Sequence, residues 1–384
     1  MAESFKPHTV TPASYREFAR VFGSAASGGR KLRIRGGATK LGWGSAPPAG
    51  AMHISTSRLT EASFTETTAS FGTGTPLARA YAQLGKRGRL LALDPALGQG
   101  GSRRTPESPG ATLGGVLATA DSGPLSHAFG GARDQVIDLL AALPDGSLVR
   151  ASEQQDLDLS SLLTGSYGTL AAILEVTVMT HPLPAATVTL LGTAASPVTL
   201  AAAAAAVSDS AAAPAAVDYA WHNGAGGLLV MLTAGADSEP VSTAQRLMSE
   251  AGLQSVEART GADSLWGRQR AGQRSVDRAV LRVSGPRDQL PRLLELSDRS
   301  GATAIGRAAR SCSYLTLDVN QIDTVRGALP DDCHATVTDL PGPARGAVDP
   351  WGPVDDGALM LMRELKQRFD PASACNPGVF IGGI

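Results

Sequence analysis

The sequence predicts an α+β protein of two domains, and three observations carry that prediction. Helix and strand signals are interspersed along all 384 residues, a length beyond one typical domain. The short β-type runs are punctuated by glycine, proline and an Asp-Gly pair. After Pro184 the composition changes, and a strand–helix–strand–strand order appears and then recurs. With 43% hydrophobic residues and 44 glycines, the chain can bury a sizeable core.

In the N-terminal half, Thr11-Pro12 signals a helix start, and Phe18, Val21 and Phe22 give that helix an apolar face before Gly28-Gly29 ends it. Strands are expected at Lys31 to Arg35, His53 to Thr56 and Leu90 to Leu93, with a helix around Pro76 to Gly85. A stretch rich in glycine, serine and proline runs from Gly98 to Gly115, followed by a small-residue helix from Gly115 to Ala120. Gln135 to Leu143 reads as an apolar strand. Asp145-Gly146 is a hairpin signal, with Ser147 to Ala151 returning. Ala172 to Met179 is a further strand, stopped by His181-Pro182.

In the C-terminal half, strands are expected at Thr187–Leu191, Val217–Trp221 and Gly227–Leu232, with helices at Pro197–Ser208 and Val241–Ala251. The order recurs as strand Ala279–Val283, helix Gln289–Ser297 and strands Thr303–Gly306 and Ser313–Val319. Two such units side by side predict a ferredoxin-like antiparallel sheet. Ala328 to Pro353 reads as a loop or return linker. A final helix places Ala358, Leu361, Met362, Leu365 and Phe369 on one face and ends at Asp370-Pro371. The expected domains are 1–184 (subdomains about 1–95 and 96–184), 185–345, and a segment 346–384 returning to the first.

Several function classes are disfavoured by composition. The net charge is -1, and aromatic residues make up only 4%, which argues against nucleic-acid binding and stacked-base recognition. Three cysteines, Cys312, Cys333 and Cys375, without a C-x-x-C pair support neither a disulfide framework nor an iron–sulfur cluster in this chain. The start MAESFKPHTV lacks a signal-peptide core, and no apolar run reaches membrane-spanning length. The expectation is a cytoplasmic protein, membrane-associated at most through partners.

Three glycine-rich loops lie next to strands, and glycine lets backbone N–H groups approach a diphosphate and point at it. Taken singly, Gly36-Gly37 reads equally as a turn, and Lys40 equally as a phosphate ligand or an ordinary surface charge. Arg133-Asp134 reads first as a loop salt bridge, His127 and His181 as surface residues, and Cys375 as inert packing. A lone His222, with His334 far away and no paired spacing, does not build a metal site; no metal is expected.

The order of the loops adds a resemblance. RIRGGATKLGWG resembles the first pyrophosphate loop of the vanillyl-alcohol oxidase and p-cresol methylhydroxylase (PCMH-type) flavoprotein superfamily. PGATLGGVLATADSGPLSHAFGGARDQV resembles its second loop, and LTGSYGTLAAILEVTVMTHPLP its adenine-side closing segment. LKQRFDPASACNPGVF is similar to the ending of the glycolate oxidase and D-lactate dehydrogenase branch. The resemblance covers about half the chain. It implies a two-subdomain PCMH-type FAD-binding domain with the ferredoxin-like domain as its cap. It also implies that Arg35, Gly36, Gly37, Ala38, Thr39 and Lys40 hold the diphosphate. Gly110, Thr112, Gly114, Gly115, Ser122 and Gly123 would line the second phosphate and the flavin wall. Gly168, Thr169, Ile173 and Val176 would face ribityl or adenine, and Asn376 with Gly378 would close over the ring. Family members with covalent flavin commonly carry a histidine near the first loop; here Ala38-Thr39-Lys40 stands instead, so the expected cofactor is noncovalent FAD.

By length and by its strings together, the chain most resembles the FAD-binding subunit of glycolate oxidase. That resemblance implies oxidation of a small 2-hydroxy acid, with electrons passed to a larger FAD-binding oxidase subunit and an iron–sulfur subunit. Two alternatives stay open: a stand-alone FAD oxidoreductase of a sugar or alcohol, and a non-catalytic assembly subunit. The second is motivated by Arg150–Ser161, which stands where related sequences carry a longer segment reading like KNVAGYD. Catalytic residues are not identified at this level.

Overall fold

The computed structural model describes residues 9–96, 110–153, 157–310, 312–330 and 332–384. It divides the chain into two units. One comprises 1–122, 131–182 and 353–384, and the other comprises 123–130 and 183–352. The C-terminal segment therefore belongs with the N-terminal unit, and Gly123–Gly130, inside the second glycine-rich string, belongs with the other.

The first unit holds a three-stranded parallel sheet and a five-stranded antiparallel one. In the parallel sheet Met52–Ser55 lies between Thr9–Val10 and Leu32–Arg35. The helix Tyr15–Ser27 covers it, starting later than Thr11-Pro12 signalled, because Ser14 supplies the cap: its hydroxyl accepts from the Glu17 amide and the Glu17 carboxylate accepts from the Ala13 amide. The first helical N–H groups are satisfied there and nowhere earlier. Phe18 and Phe22 are fully buried against Leu32 and Ile54, each worth roughly 1.5–3 kcal/mol. The C-terminal tail joins the same sheet edge. The Leu32 amide donates to the Ala374 carbonyl at 2.7 Å, and the Asn376 amide donates to the Leu32 carbonyl at 2.9 Å.

The antiparallel sheet runs Ala62–Phe64, Thr68–Gly72, Ala172–Met179, Val136–Ala142, Leu148–Arg150. Its expected hairpin turns at Asp145-Gly146, where Gly146 has φ +87° and the Asp145 carboxylate accepts from the Ser147 amide. The first two strands escape a sequence reading because serine and threonine interrupt their apolar alternation. Of the expected strand Leu90 to Leu93, only Arg89–Leu90 pairs, with His181–Pro182; His181 is thus half-buried in a ribbon and not a surface loop residue. Helices Leu77–Gly85 and Leu113–Ala118 pack onto this sheet through Leu77, Leu84, Leu113 and Leu117.

The second unit is one eight-stranded antiparallel sheet in the order Gln254–Thr260, Val188–Ala194, Ala225–Leu232, Ala216–His222, Thr303–Arg307, Cys312–Leu317, Ala279–Ser284, His334–Asp339. It consists of two complete βαββαβ repeats joined edge to edge through their second strands, with Asp218 directly opposite Arg307. The ferredoxin-like expectation holds, and each repeat is longer than expected by one strand, the first by Gln254–Thr260 and the second by His334–Asp339. His334–Asp339 falls within the stretch read as linker; only Ala335 and Val337 face the core, too few apolar positions to stand out. The helices Pro197–Ser208, Glu239–Glu250, Leu290–Arg299 and Ile322–Gly327 build the core on one sheet face. On the other, Asp263–Ala271 seats Trp266 against Ala216 and Leu229.

The final helix, Asp356–Phe369, follows its sequence pattern in part: Met362, Leu365 and Phe369 are half-buried, whereas Ala358 and Leu361 are exposed. Met360 and Leu361 are 62% and 57% exposed, and its one buried side chain is Lys366. No helix among the described residues is long and apolar enough to cross a membrane.

Candidate functional site

The first unit contains an open, concave cleft, the kind of surface that holds small molecules and cofactors. Its walls come from three places: residues 33–43 after the parallel strand Leu32–Arg35, the start of the helix Leu113–Ala118, and the turn and strand 167–173. Asn376 and Val379 of the tail complete it. The three glycine-rich strings therefore meet around one space.

Most of the expected residues line it: Arg35, Gly36, Gly37, Ala38, Thr39, Lys40, Thr112, Gly114, Gly115, Gly168, Ile173 and Asn376. Gly110 stands behind the wall, its carbonyl against Gly37. Thr169 is buried, its hydroxyl donating to the Ser166 carbonyl. Val176 is fully buried in the sheet core between Phe71 and Leu139. Ser122 ends the first unit without reaching the cleft lining, and Gly123 belongs to the second unit, where its carbonyl accepts from Arg307 Nε at 3.0 Å. These five are not placed on the cleft wall. Gly378, expected beside Asn376, is not on it either.

The glycines do more than approach a ligand. A Cβ on Gly36 would stand 2.1 Å from the Thr112 hydroxyl, one on Gly37 1.8 Å from the Gly110 carbonyl oxygen, and one on Gly114 2.9 Å from Thr73 Cβ. The loops interlock because those side chains are absent. Strain gathers at the same place: Ala38, Tyr167 and Asn376 have φ of +60°, +56° and +39°, conformations that cost non-glycine residues of order 1–3 kcal/mol each.

Charge and hydrogen-bonding capacity are distributed unevenly. Lys40 makes an ion pair with Asp121 at 2.9 Å, both side chains nearly buried at 5% and 3% exposure, and its ammonium lies 5.4 Å from the Trp43 ring centroid. Arg33 donates to the Leu41 carbonyl. Arg35 lines the cleft and makes no side-chain hydrogen bond or ion pair with the described residues. The Thr112 hydroxyl is buried and likewise without a partner among them. His53, opposite Arg33 in the parallel sheet, has its pKa lowered by burial and by Arg35 and Arg33, so it adds no positive charge at neutral pH. The Cys375 thiol is pushed well above its ordinary pKa by burial and the neighbouring Asp370, which leaves it inert as expected.

Elsewhere, Arg133 and Asp134 do not bridge to each other: Asp134 accepts from the Gly131 amide and Arg133 donates to the Thr164 carbonyl. His127 is half-buried in the second unit, with its carbonyl accepting from Arg310. Sequence reasoning passed over Arg33, Trp43, Thr56, Thr73 and Tyr167 as cleft residues. Tyr167 lay inside the quoted GSYGT string, while Thr56 and Thr73 come from segments with no motif.

Comparison with known proteins agrees with this geometry. Residues 7–152 match the family described as FAD binding domain. An uncharacterized FAD-linked oxidoreductase of Mycobacterium tuberculosis is 25% identical over 434 residues, covering 98% of this chain and 91% of that protein. A D-lactate dehydrogenase of Archaeoglobus fulgidus is 30% identical over 189 residues, 47% of this chain and 40% of that one. Among solved structures, a glucooligosaccharide oxidase from Acremonium strictum, described with a 6-S-cysteinyl, 8α-N1-histidyl FAD, superposes with a TM-score of 0.67 at 15% identity, covering 98% of this chain and 91% of its own. The chain is accordingly an FAD-dependent oxidoreductase in which residues 7–152 match an FAD binding domain, and it shares the fold of the glucooligosaccharide oxidase.

Proposed function

We propose that the cleft holds FAD noncovalently and that the chain is the FAD-binding subunit of a glycolate oxidase-like 2-hydroxy-acid oxidoreductase. It would pass electrons to a larger FAD-binding oxidase subunit and an iron–sulfur subunit. A cytoplasmic location belongs to the same proposal.

One observation carries the cofactor reading: the Arg35 guanidinium and the buried Thr112 hydroxyl lack partners among the described residues, beside glycines whose missing side chains let the loops of the cradle interlock. A diphosphate requires strong donors, fixed positive charge and close backbone approach, and these are the groups present. Arg35 would hold anionic oxygens, Thr112 would donate or accept one hydrogen bond, and the loop 36–40 would present main-chain amides. When bound, FAD would supply the acceptor for the electron pair of the oxidised donor. Among the described residues lining the cleft there is no histidine or cysteine, which supports noncovalent attachment. The likeness to a D-lactate dehydrogenase supports a 2-hydroxy-acid substrate.

The purified chain should be yellow, and acid denaturation should leave its flavin in the supernatant. Flavin retained on the precipitated protein would defeat the noncovalent reading, and a colourless chain that takes up no added FAD would defeat the cofactor reading. Co-purification with an iron–sulfur protein, and no turnover by the isolated chain, are expected of the complex.

A second reading has its own support. This chain spans 91% of a glucooligosaccharide oxidase with both units present, as a stand-alone oxidase of a sugar or alcohol would. Steady turnover of such a donor by the isolated chain would select it over the subunit reading.

A further inference from the structure

Asn376 enters the cleft from the far end of the chain, and the structure shows what holds it there. Its side-chain carbonyl accepts from the Ile34 amide at 2.8 Å, and its side-chain amide donates to the Tyr167 carbonyl at 2.6 Å. One residue thus ties the strand entering the first glycine loop to the turn entering the third. The Tyr167 ring packs on Phe380 of the same tail, 5.4 Å between centroids. Tyr167 and Asn376 are both in left-handed conformations, which persist only where the surroundings over-determine them.

Lys366 is the chief candidate for doing so. It is the buried side chain of the helix Asp356–Phe369, and it does not line the cleft. Its ammonium donates to the Thr169 carbonyl at 2.6 Å, the Asp370 carboxylate at 2.7 Å and the Cys375 carbonyl at 3.0 Å, which fills the three donors of an ammonium. The fully buried Asp370 carboxylate in turn accepts from the Ala374 and Cys375 amides at 2.9 and 2.7 Å. Thr169 directly follows Gly168 and Cys375 directly precedes Asn376, so the ion pair grips the chain one residue away from the cleft wall on both sides. A buried ion pair is a weak source of net stability, since desolvation offsets its attraction, and is better suited to fixing one geometry.

We propose that Lys366 is a positioning residue for the cofactor: with Asp370 it pins the Tyr167–Gly168 turn and Asn376 in the arrangement that the cofactor needs, so FAD affinity depends on a side chain outside the cleft. The inference rests on the cleft being the FAD site. The coupling is reciprocal, so bound FAD must tighten the pin as much as the pin tightens FAD.

The test uses the full chain stripped of flavin, titrated with FAD by flavin fluorescence, with hydrogen exchange measured with and without FAD. The variant Lys366→Met/Asp370→Asn removes both charges together and leaves no buried charge uncompensated. It should fold, bind FAD at least tenfold more weakly, and exchange the Cys375 and Asn376 amides faster. In the unsubstituted chain FAD should slow those same amides. Lys366→Arg keeps the charge but offers a planar fork in place of three diverging donors; it should stay folded with an intermediate loss of affinity, and it serves if the double variant does not fold. Unchanged FAD affinity in either folded variant, or amides indifferent to FAD, would overturn the proposal. An unsubstituted chain that takes up no FAD overturns the site reading itself.

Discussion

Gly37 lies so close to Gly110 that a Cβ on it would stand 1.8 Å from the Gly110 carbonyl oxygen. Backbone against backbone leaves no flexible side chain to yield, so Gly37→Val must separate the first and second glycine loops. FAD uptake, read as the ratio of flavin to protein absorbance, should be lost while the second unit stays folded. Gly85→Ala is the matched control: nothing stands within 4 Å of its Cβ, so stability should be unchanged or raised by up to about 1 kcal/mol, with normal flavin content.

Arg35 offers a guanidinium to the cleft with no partner in the described protein to lose. Arg35→Ala should therefore spare thermal stability. A charge-assisted hydrogen bond contributes about 1.5–3 kcal/mol, so FAD affinity should fall roughly 10- to 100-fold. Equal affinity in variant and parent would remove Arg35 from the diphosphate site.

The Lys40–Asp121 ion pair is nearly excluded from water. Lys40→Met removes the cation that faces the buried Asp121 carboxylate and should cost about 3–5 kcal/mol in urea unfolding. Lys40→Met/Asp121→Leu should recover most of that loss. If the single variant is as stable as the parent, the pair is not buried in solution.

Asp218, opposite Arg307 at the junction of the two sheet repeats, has its pKa pushed up to about 6 by burial, against the opposing pull of Arg307, Gln269 and Arg270. The fold binds this proton more tightly than the unfolded chain does. Stability from this group is present in full below about pH 4 and is lost as pH rises to about 6. Two pKa units correspond to about 3 kcal/mol. Asp218→Asn does not titrate, so the stability of the parent relative to the variant should fall by about that amount between pH 4 and 6 and stay level above. A difference that rises with pH would contradict the assignment.

Much of the site was legible because backbone geometry writes itself into glycine and proline. The loops at 36–40 and 110–115 and the turn at 165–169 were marked by their residues, as was the strand Ala172–Met179 by its β-branched run. Weak or absent apolar alternation concealed other elements: Gln254–Thr260 is an edge strand with almost every residue exposed. The apolar stripe of the last helix was right in part: Met362, Leu365 and Phe369 are half-buried, while Ala358 and Leu361 are exposed and the buried side chain is Lys366, drawn in by the carbonyls it reaches.

Local composition by itself determined the fold class, the strand–helix–strand–strand opening of each repeat in the second unit and the loops that form the cradle, because turn chemistry and hydrophobic period act over a few residues. Only the tertiary structure decided which of those residues face the cleft, that Lys40 is neutralised by Asp121 while Arg35 is not, and that Lys366 and Asn376 clasp a turn some two hundred positions earlier. Ion pairs and side chain-to-backbone bonds across such separations leave no local pattern. They exist only once the two packed sheets of the first unit bring distant carbonyls within reach.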